Sequence, residues 1–246
     1  MLLLITACID VNDKIPFTEL KNRSERFQLL INTLDWAIQQ KVFDKITVCE
    51  SSNYRGFDFK QYVLEKNKVV QFEYITFCGN TDKVIKYGKG YGEGEILERF
   101  CAESKLFKDE TVFCKLTSKL YIDNLDKLKL NKRKCTCFQE YMTFDDMVDT
   151  RFFVMEKSIF QKYFLNVYQE VNDEKKHFLE HVYYDVLKRN KIVYKSFRQF
   201  PIIRGKSGTS NKDYRGTRGN WIVNAMCFFN LINHPFFKKI GKKNLK

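Results

Sequence analysis

Long apolar runs are missing from this 246-residue chain. The longest near the start, MLLLITACI, is too short to cross a bilayer, which takes about 20 residues. It also lacks the basic start and small-residue cleavage site of a secretory leader, so it reads as a buried first strand. Histidine is scarce, with three in all. Cys135-Thr136-Cys137 has no second cysteine pair or suitable histidine, so a zinc site is not expected. The eight cysteines are scattered, several within apolar strands, as free thiols in a reducing cytoplasm are and a disulfide scaffold is not. No internal repeat or low-complexity linker interrupts the chain, and no RNP, helix-turn-helix or zinc-finger pattern is present. Acid is the minority charge: 30 Asp and Glu against 43 Lys and Arg leave a net +13. Such a surplus calls for an acidic partner: nucleotide phosphates, an anionic membrane surface or nucleic acid.

What is present suffices for one large domain, or one domain with a helical appendage: 44% of residues are hydrophobic and 15% aromatic. Apolar patterning places strands at Leu2–Ile9, Lys45–Cys49, Val69–Phe77 and Thr111–Leu116, with helices at Asn22–Gln40 and Phe57–Lys66 between them. Strands alternating with helices at this spacing predict an α/β fold, a mostly parallel sheet covered on both faces. Ligands of such sheets bind at the carboxyl ends of the strands.

The glycine run GKGYGEGEILERF (Gly88–Phe100) stands out. Each glycine in a regular element costs about 1 kcal/mol relative to alanine. Gly88, Gly90, Gly92 and Gly94 are therefore expected to form a loop, feeding a helix over Glu95–Phe107. Its free N–H groups would suit an anion. Further along, strands are expected over Cys135–Tyr141 and Val148–Met155, and helices over Lys157–Tyr168, Lys175–Lys188 and Trp221–Ile232. Phe200–Tyr214 reads as a polar, glycine-bearing loop.

Laid out in this order, the chain resembles small bacterial glycosyltransferases of lipopolysaccharide and capsule assembly, which have the glycosyltransferase-A fold. The resemblance rests on a first strand followed by a helix with an early arginine, on CESSNY after the second strand, and on GKGYGEGEI before a helix. KLTSKLYIDN (Lys115–Asn124), VDTRFF and a later LEHVYY extend it over most of residues 1–215. The sequence departs from the pattern at Ser118-Lys119-Leu120, where Gly-Arg-Tyr is expected, which leaves the basic role to Lys119.

The resemblance implies a nucleotide-sugar half over 1–124 and an acceptor half over 125–215 of one catalytic domain, then a C-terminal helix and tail over 216–246. Thr6, Ala7 and Cys8 would lie under the base. Glu50 and Asn53 would bond base or ribose, although Glu50 could equally cap a turn. Lys86, Lys89, Lys115 and Lys119 are cations for a diphosphate. Arg204-Gly205-Lys206-Ser207-Gly208 would close over it as a lid. Arg26, Gly90, Gly92, Thr117, Asn124 and Arg151 complete the implied donor site.

The candidates for the base that takes the acceptor's proton are Glu180, Asp149 and Glu93, with His181 beside Glu180 as helper or packing residue. Metal-dependent members of the wider fold carry Asp-x-Asp, and no such triplet occurs here. No cofactor is firmly implied. Mg²⁺ or Mn²⁺ stays open, with Asp149 or Asp123 as ligand, and the alternative is that Arg151 itself neutralises the leaving phosphate. The implied partners are a nucleotide-sugar donor, a glycan or lipid-linked acceptor and an anionic membrane surface, with no nucleic acid. Trp221, Ile222, Met226, Phe228, Phe229 and Ile232, followed by Lys238, Lys239, Lys242, Lys243 and Lys246, suit a cytoplasmic enzyme held at the inner face of a membrane. A basic nucleic-acid-binding protein, or a methyltransferase using the glycine run, are the rival readings.

Overall fold

The structure is a computed structural model, and it describes residues 1–130, 135–141, 146–214, 216, 221–232 and 234. The five-lysine tail falls outside this set. Strands β1 (Leu2–Ala7), β2 (Lys45–Glu50) and β3 (Gln71–Thr76) alternate with helices α1 (Arg23–Gln39) and α2 (Phe59–Lys66). After them come α3 (Thr81–Tyr87), α4 (Lys89–Glu103), β4 (Val112–Thr117), β5 (Leu120–Ile122), α5 (Leu125–Leu128) and β6 (Phe152–Glu156). The chain continues through α6 (Lys157–Ile159), which runs into a π turn and two 3₁₀ turns, to α7 (Leu179–Arg189), β7 (Ile203–Lys206), β8 (Asp213–Tyr214) and α8 (Trp221–Phe228).

The main sheet has the order β3-β2-β1-β4-β6, parallel except for β6. It is the expected α/β architecture, a mostly parallel sheet flanked by helices. Every residue of β1 is buried, because both faces of the sheet are covered. Leu3, Ile5 and Ala7 pack with Leu30, Leu34 and Phe59 from α1 and α2. Leu2 and Leu4 pack with Leu97, Phe100, Val182 and Tyr183 from α4 and α7. Strand order reverses direction at β1, with β2 on one side and β4 on the other, and this switch point opens a crevice beyond their carboxyl ends. A second sheet, β5-β7-β8, stands beside that crevice.

Three local readings differ from the structure. The glycine run is helical from Lys89 onward, and only Gly88 (φ +106°) breaks the backbone, between α3 and α4. The reason is contact: a Cβ on Gly94 would lie 1.9 Å from Tyr168 Cβ, and one on Gly90 would lie 3.0 Å from Leu179 Cβ. Close helix packing has outweighed helix propensity. The stretch Cys135–Tyr141 makes only isolated bridges, to Val154, Lys195 and Val148. The supposed polar loop after Phe200 contains the β7–β8 pair. Gly205 (φ +111°) lets β7 press on Lys119, where a Cβ would meet the Lys119 carbonyl oxygen at 2.0 Å.

Candidate active site

A cavity of about 930 Å³ lies at the switch point. The end of β1 gives it Thr6, Ala7 and Cys8, and the β4–β5 turn gives Thr117 and Lys119. Helix α4 contributes Lys89, Gly90, Gly92 and Glu93, the first turn of α7 contributes Glu180, and Arg26, Arg151 and Lys206 close the wall. Asp10, Glu95 and Asp173 add carboxylates at other points of it.

The buried ammonium of Lys115 organises the floor. It donates to Thr117 Oγ1 at 2.7 Å and to the Thr150 carbonyl at 2.7 Å, and it pairs with Glu93. Glu93 Oε1 also accepts from Thr6 Oγ1 at 2.7 Å. Burial pushes the Glu93 carboxyl up, but the Lys115 charge and the two hydrogen bonds outweigh it and hold the group below its ordinary range.

Glu180 is the contrasting case. It accepts from Thr150 Oγ1 at 2.9 Å, and among the described residues no cation forms an ion pair with it. Burial, reinforced by the charges of Asp149 and Glu93, raises its pKa. Asp149 differs again, since both its oxygens are taken by Arg151, Nε to Oδ1 at 2.9 Å and Nη2 to Oδ2 at 2.6 Å. The Arg151 guanidinium lies between the rings of Tyr141 and Tyr214, 5.5 and 4.8 Å from their centroids. Three carboxylates named from sequence thus occupy three electrostatic settings.

Among the cations, Arg26 donates to the carbonyls of Cys8 and Leu20 at 2.6 and 2.9 Å, tying α1 to the end of β1. Lys89 donates to the Phe17 carbonyl at 2.5 Å and to Thr209 Oγ1 at 2.6 Å, joining two loops at the cavity mouth. Lys206 pairs with Glu25. Lys119 sits at a left-handed φ of +77°, and among the described residues its ammonium has no hydrogen-bond partner. Burial and the nearby Arg26 charge draw its pKa down to about 7.

Other residues named from sequence lie elsewhere. Glu50 is fully buried and caps the turn after β2, accepting from the N–H groups of Ile9, Ser52 and Tyr54 and from Thr76 Oγ1. Asn53 accepts from Arg55, and Asn124 fastens the chain before β7 through Phe200 and Ile202. Arg204 pairs with Asp123, Ser207 caps its own turn, and Lys86 is exposed on α3. His181 accepts from the Phe178 N–H at the start of α7.

Thr150, Asp173, Tyr141 and Tyr214 also line the cavity and were not picked out from sequence. Thr150 lies inside VDTRFF and was within reach of that motif, whereas Asp173 sits in a turn without any pattern. Among the described residues no three acidic, histidine or cysteine side chains gather to hold a metal ion. Asp149, with both oxygens bound to Arg151, does not fit a metal ligand as placed.

No family model matches the chain, and no curated protein does. Solved structures with similar folds include HddC from Yersinia pseudotuberculosis, 13% identical over 66% of this chain and 79% of that one, with a TM-score of 0.31. Another is a putative glucose-1-phosphate thymidylyltransferase from Bacillus anthracis in complex with sucrose, 10% identical over 95% of this chain and 96% of that one, TM-score 0.46. At these identities and scores they settle neither the family nor the reaction.

Proposed function

We propose that this chain is a glycosyltransferase that moves a sugar from a nucleotide-sugar donor to a hydroxyl of a growing surface glycan, such as a lipooligosaccharide or capsule. One observation carries the reading: the ammonium of Lys119 and the carboxylate of Glu180, which among the described residues have no hydrogen-bond partner and no paired cation respectively, face the same cavity at the strand switch point. The first is suited to an anion and the second to a proton.

In this reading the donor diphosphate lies against Lys119, with Lys89 and Lys206 at the mouth and the N-terminal turn of α4 behind it. Arg151, held in place by Asp149 and two tyrosine rings, faces the charge that develops on the leaving phosphate. Glu180 takes the proton of the attacking hydroxyl, because its raised pKa makes it a better proton acceptor than Glu93, and both oxygens of Asp149 are occupied by Arg151. Glu93, kept ionised by Lys115, fixes the floor of the site. No step is assigned to a metal ion, since among the described residues no three acidic, histidine or cysteine side chains gather to hold one.

Residues 1–124 would serve the donor and 125–215 the acceptor. Helix α8 exposes Trp221 and Phe228, with Phe229 just beyond it, and the lysine tail follows, which suits an anionic leaflet and a lipid-linked acceptor. No helix among the described residues is long and apolar enough to cross a membrane.

A thermal-shift panel tests the proposal, using UDP, CMP, GDP and their sugars with and without Mn²⁺, followed by assay of sugar transfer. A ligand at 100 times its dissociation constant adds about 2.7 kcal/mol, several degrees for a chain of this size. A nucleotide-specific rise with release of nucleoside diphosphate is the expected result. A shift by an oligonucleotide or S-adenosylmethionine alone would overturn it. Pyrophosphate release from a nucleoside triphosphate and a sugar 1-phosphate would replace it with nucleotidyl transfer.

A further inference from the structure

Cys135 and Cys137 lie away from the cavity, and neither is among its lining residues. Their sulfurs are 3.8 Å apart, with the Cys137 thiol pointing at Cys135. Both side chains are partly exposed, unlike the buried Cys49, Cys114 and Cys227. The backbone between them is fixed on two sides. Cys137 exchanges hydrogen bonds with Val154 of β6 at 2.8 and 3.1 Å, while Phe138 and Thr136 bond Lys195 at 3.0 and 2.9 Å. The antiparallel bridge of Cys137 to Val154 places Cys135 across from Glu156.

This geometry discriminates between two fates of a thiol pair. A disulfide needs sulfurs about 2.05 Å apart and α-carbons about 4.4–6.8 Å apart. Two residues of extended chain span about 6.6 Å, at the wide end of that window, and a disulfide would need the sulfurs to close from 3.8 Å to about 2.05 Å. Two thiolates on one tetrahedral ion, with bonds of about 2.3 Å, have sulfurs roughly 3.8 Å apart, which is the separation already present. Chelation requires no backbone movement.

We propose that Cys135 and Cys137 form a two-thiolate chelating site for a thiophilic ion, Zn²⁺ or Cd²⁺ in class, with the remaining coordination positions open to solvent. Binding releases the two thiol protons and forms two metal–sulfur bonds, with no change of oxidation state. The sequence excludes a closed four-ligand zinc site, and an open chelate is a different object.

The test is titration of the full chain with Cd²⁺ under reducing conditions, followed by the ultraviolet thiolate-to-metal absorption, in the natural protein and in C135S, C137S and C78S. Removing one thiolate abolishes the intramolecular second step, so C135S and C137S should each lose roughly 10²- to 10⁴-fold in apparent affinity, while C78S binds as before. Cd²⁺ protection of the natural protein from maleimide, mapped by peptide mass, supplies a readout independent of any variant's folding. Joint protection of Cys135 and Cys137 is expected. Unchanged Cd²⁺ affinity in both single variants, or labelling of the two thiols at equal rates with and without Cd²⁺, would overturn the proposal.

Discussion

Two glycines of α4 give opposite expectations for the same substitution. In a helix interior, glycine to alanine is worth about 1 kcal/mol of stabilisation through propensity alone. At Gly92 the new Cβ would meet only a methyl of Val84, at 3.0 Å, so G92A should remain within about 1 kcal/mol of the natural protein. At Gly94 the new Cβ would stand 1.9 Å from Tyr168 Cβ and 2.3 Å from Cγ. Tyr168 is 5% exposed, packs edge-on against Tyr91 at 4.9 Å and bonds Glu98 through its hydroxyl at 2.5 Å, so it has no free direction in which to retreat. Overpacking of this kind costs typically about 1–3 kcal/mol and occasionally more. With the clash placed at the upper end of that range, about 3 kcal/mol, against a propensity gain of about 1 kcal/mol, G94A should be net destabilised by about 2 kcal/mol, or about 4–8 °C for a chain of this length. Relief of the clash must move α4 outward, and Glu93, the next residue, would move with it from Thr6 and Lys115. G94A should therefore weaken nucleotide-sugar binding as well. Differential scanning calorimetry with donor titration on both variants decides the matter. A G94A protein as stable as the natural one, or equal losses in the two variants, would refute the account of the glycine run.

Three further outcomes follow from the site. E180Q should retain donor binding and lose about 10²- to 10⁴-fold in kcat; the natural enzyme's rate should fall as pH drops through the raised Glu180 pKa, and a pH–rate profile reads both. Lys119 has a folded pKa of about 7, below its unfolded value, so its ammonium is disfavoured in the empty fold below pH 7, and that penalty is relieved as pH rises from 7 towards 10. An anionic ligand needs the charged form, so affinity should decline above pH 7 and binding at pH 8 should take up a proton. Calorimetry in buffers of different ionisation enthalpy would show this, and K119M should abolish it. K115M strips the half-buried Glu93 carboxylate of its buried partner and should cost about 3–5 kcal/mol at pH 7. Without Lys115, burial is opposed only by the Thr6 hydrogen bond and the Lys119 charge, so the Glu93 pKa rises and the deficit in chemical unfolding should narrow as pH is lowered and Glu93 protonates.

The parts of this molecule that could be read from sequence were those fixed by local pattern. β1 shows as LLLITA because a strand buried on both faces has no polar alternation to confuse it. α1 shows through its apolar face and its Asn22 cap, whose side chain accepts from the Glu25 N–H. Cavity residues at or just after the end of a strand, such as Thr6, Ala7, Cys8 and Lys119, were legible because parallel sheets place their strand ends together. What could not be read was set by partners distant in sequence. The α4 glycines answer to Tyr168 and Leu179, some 70 to 90 positions later, and a local rule about glycine cost then points the wrong way. The glycine run looked like a phosphate loop, and its real effect is to bring α4 against the chain that ends in α7. That packing sets Glu93, on α4, and Glu180, in the first turn of α7, on walls of one cavity. The contrast between the two carboxylates has the same origin: Lys115 reaches the first and leaves the second to Thr150. A sequence can name both glutamates, but only the fold pairs one with a buried ammonium and leaves the other to a hydroxyl.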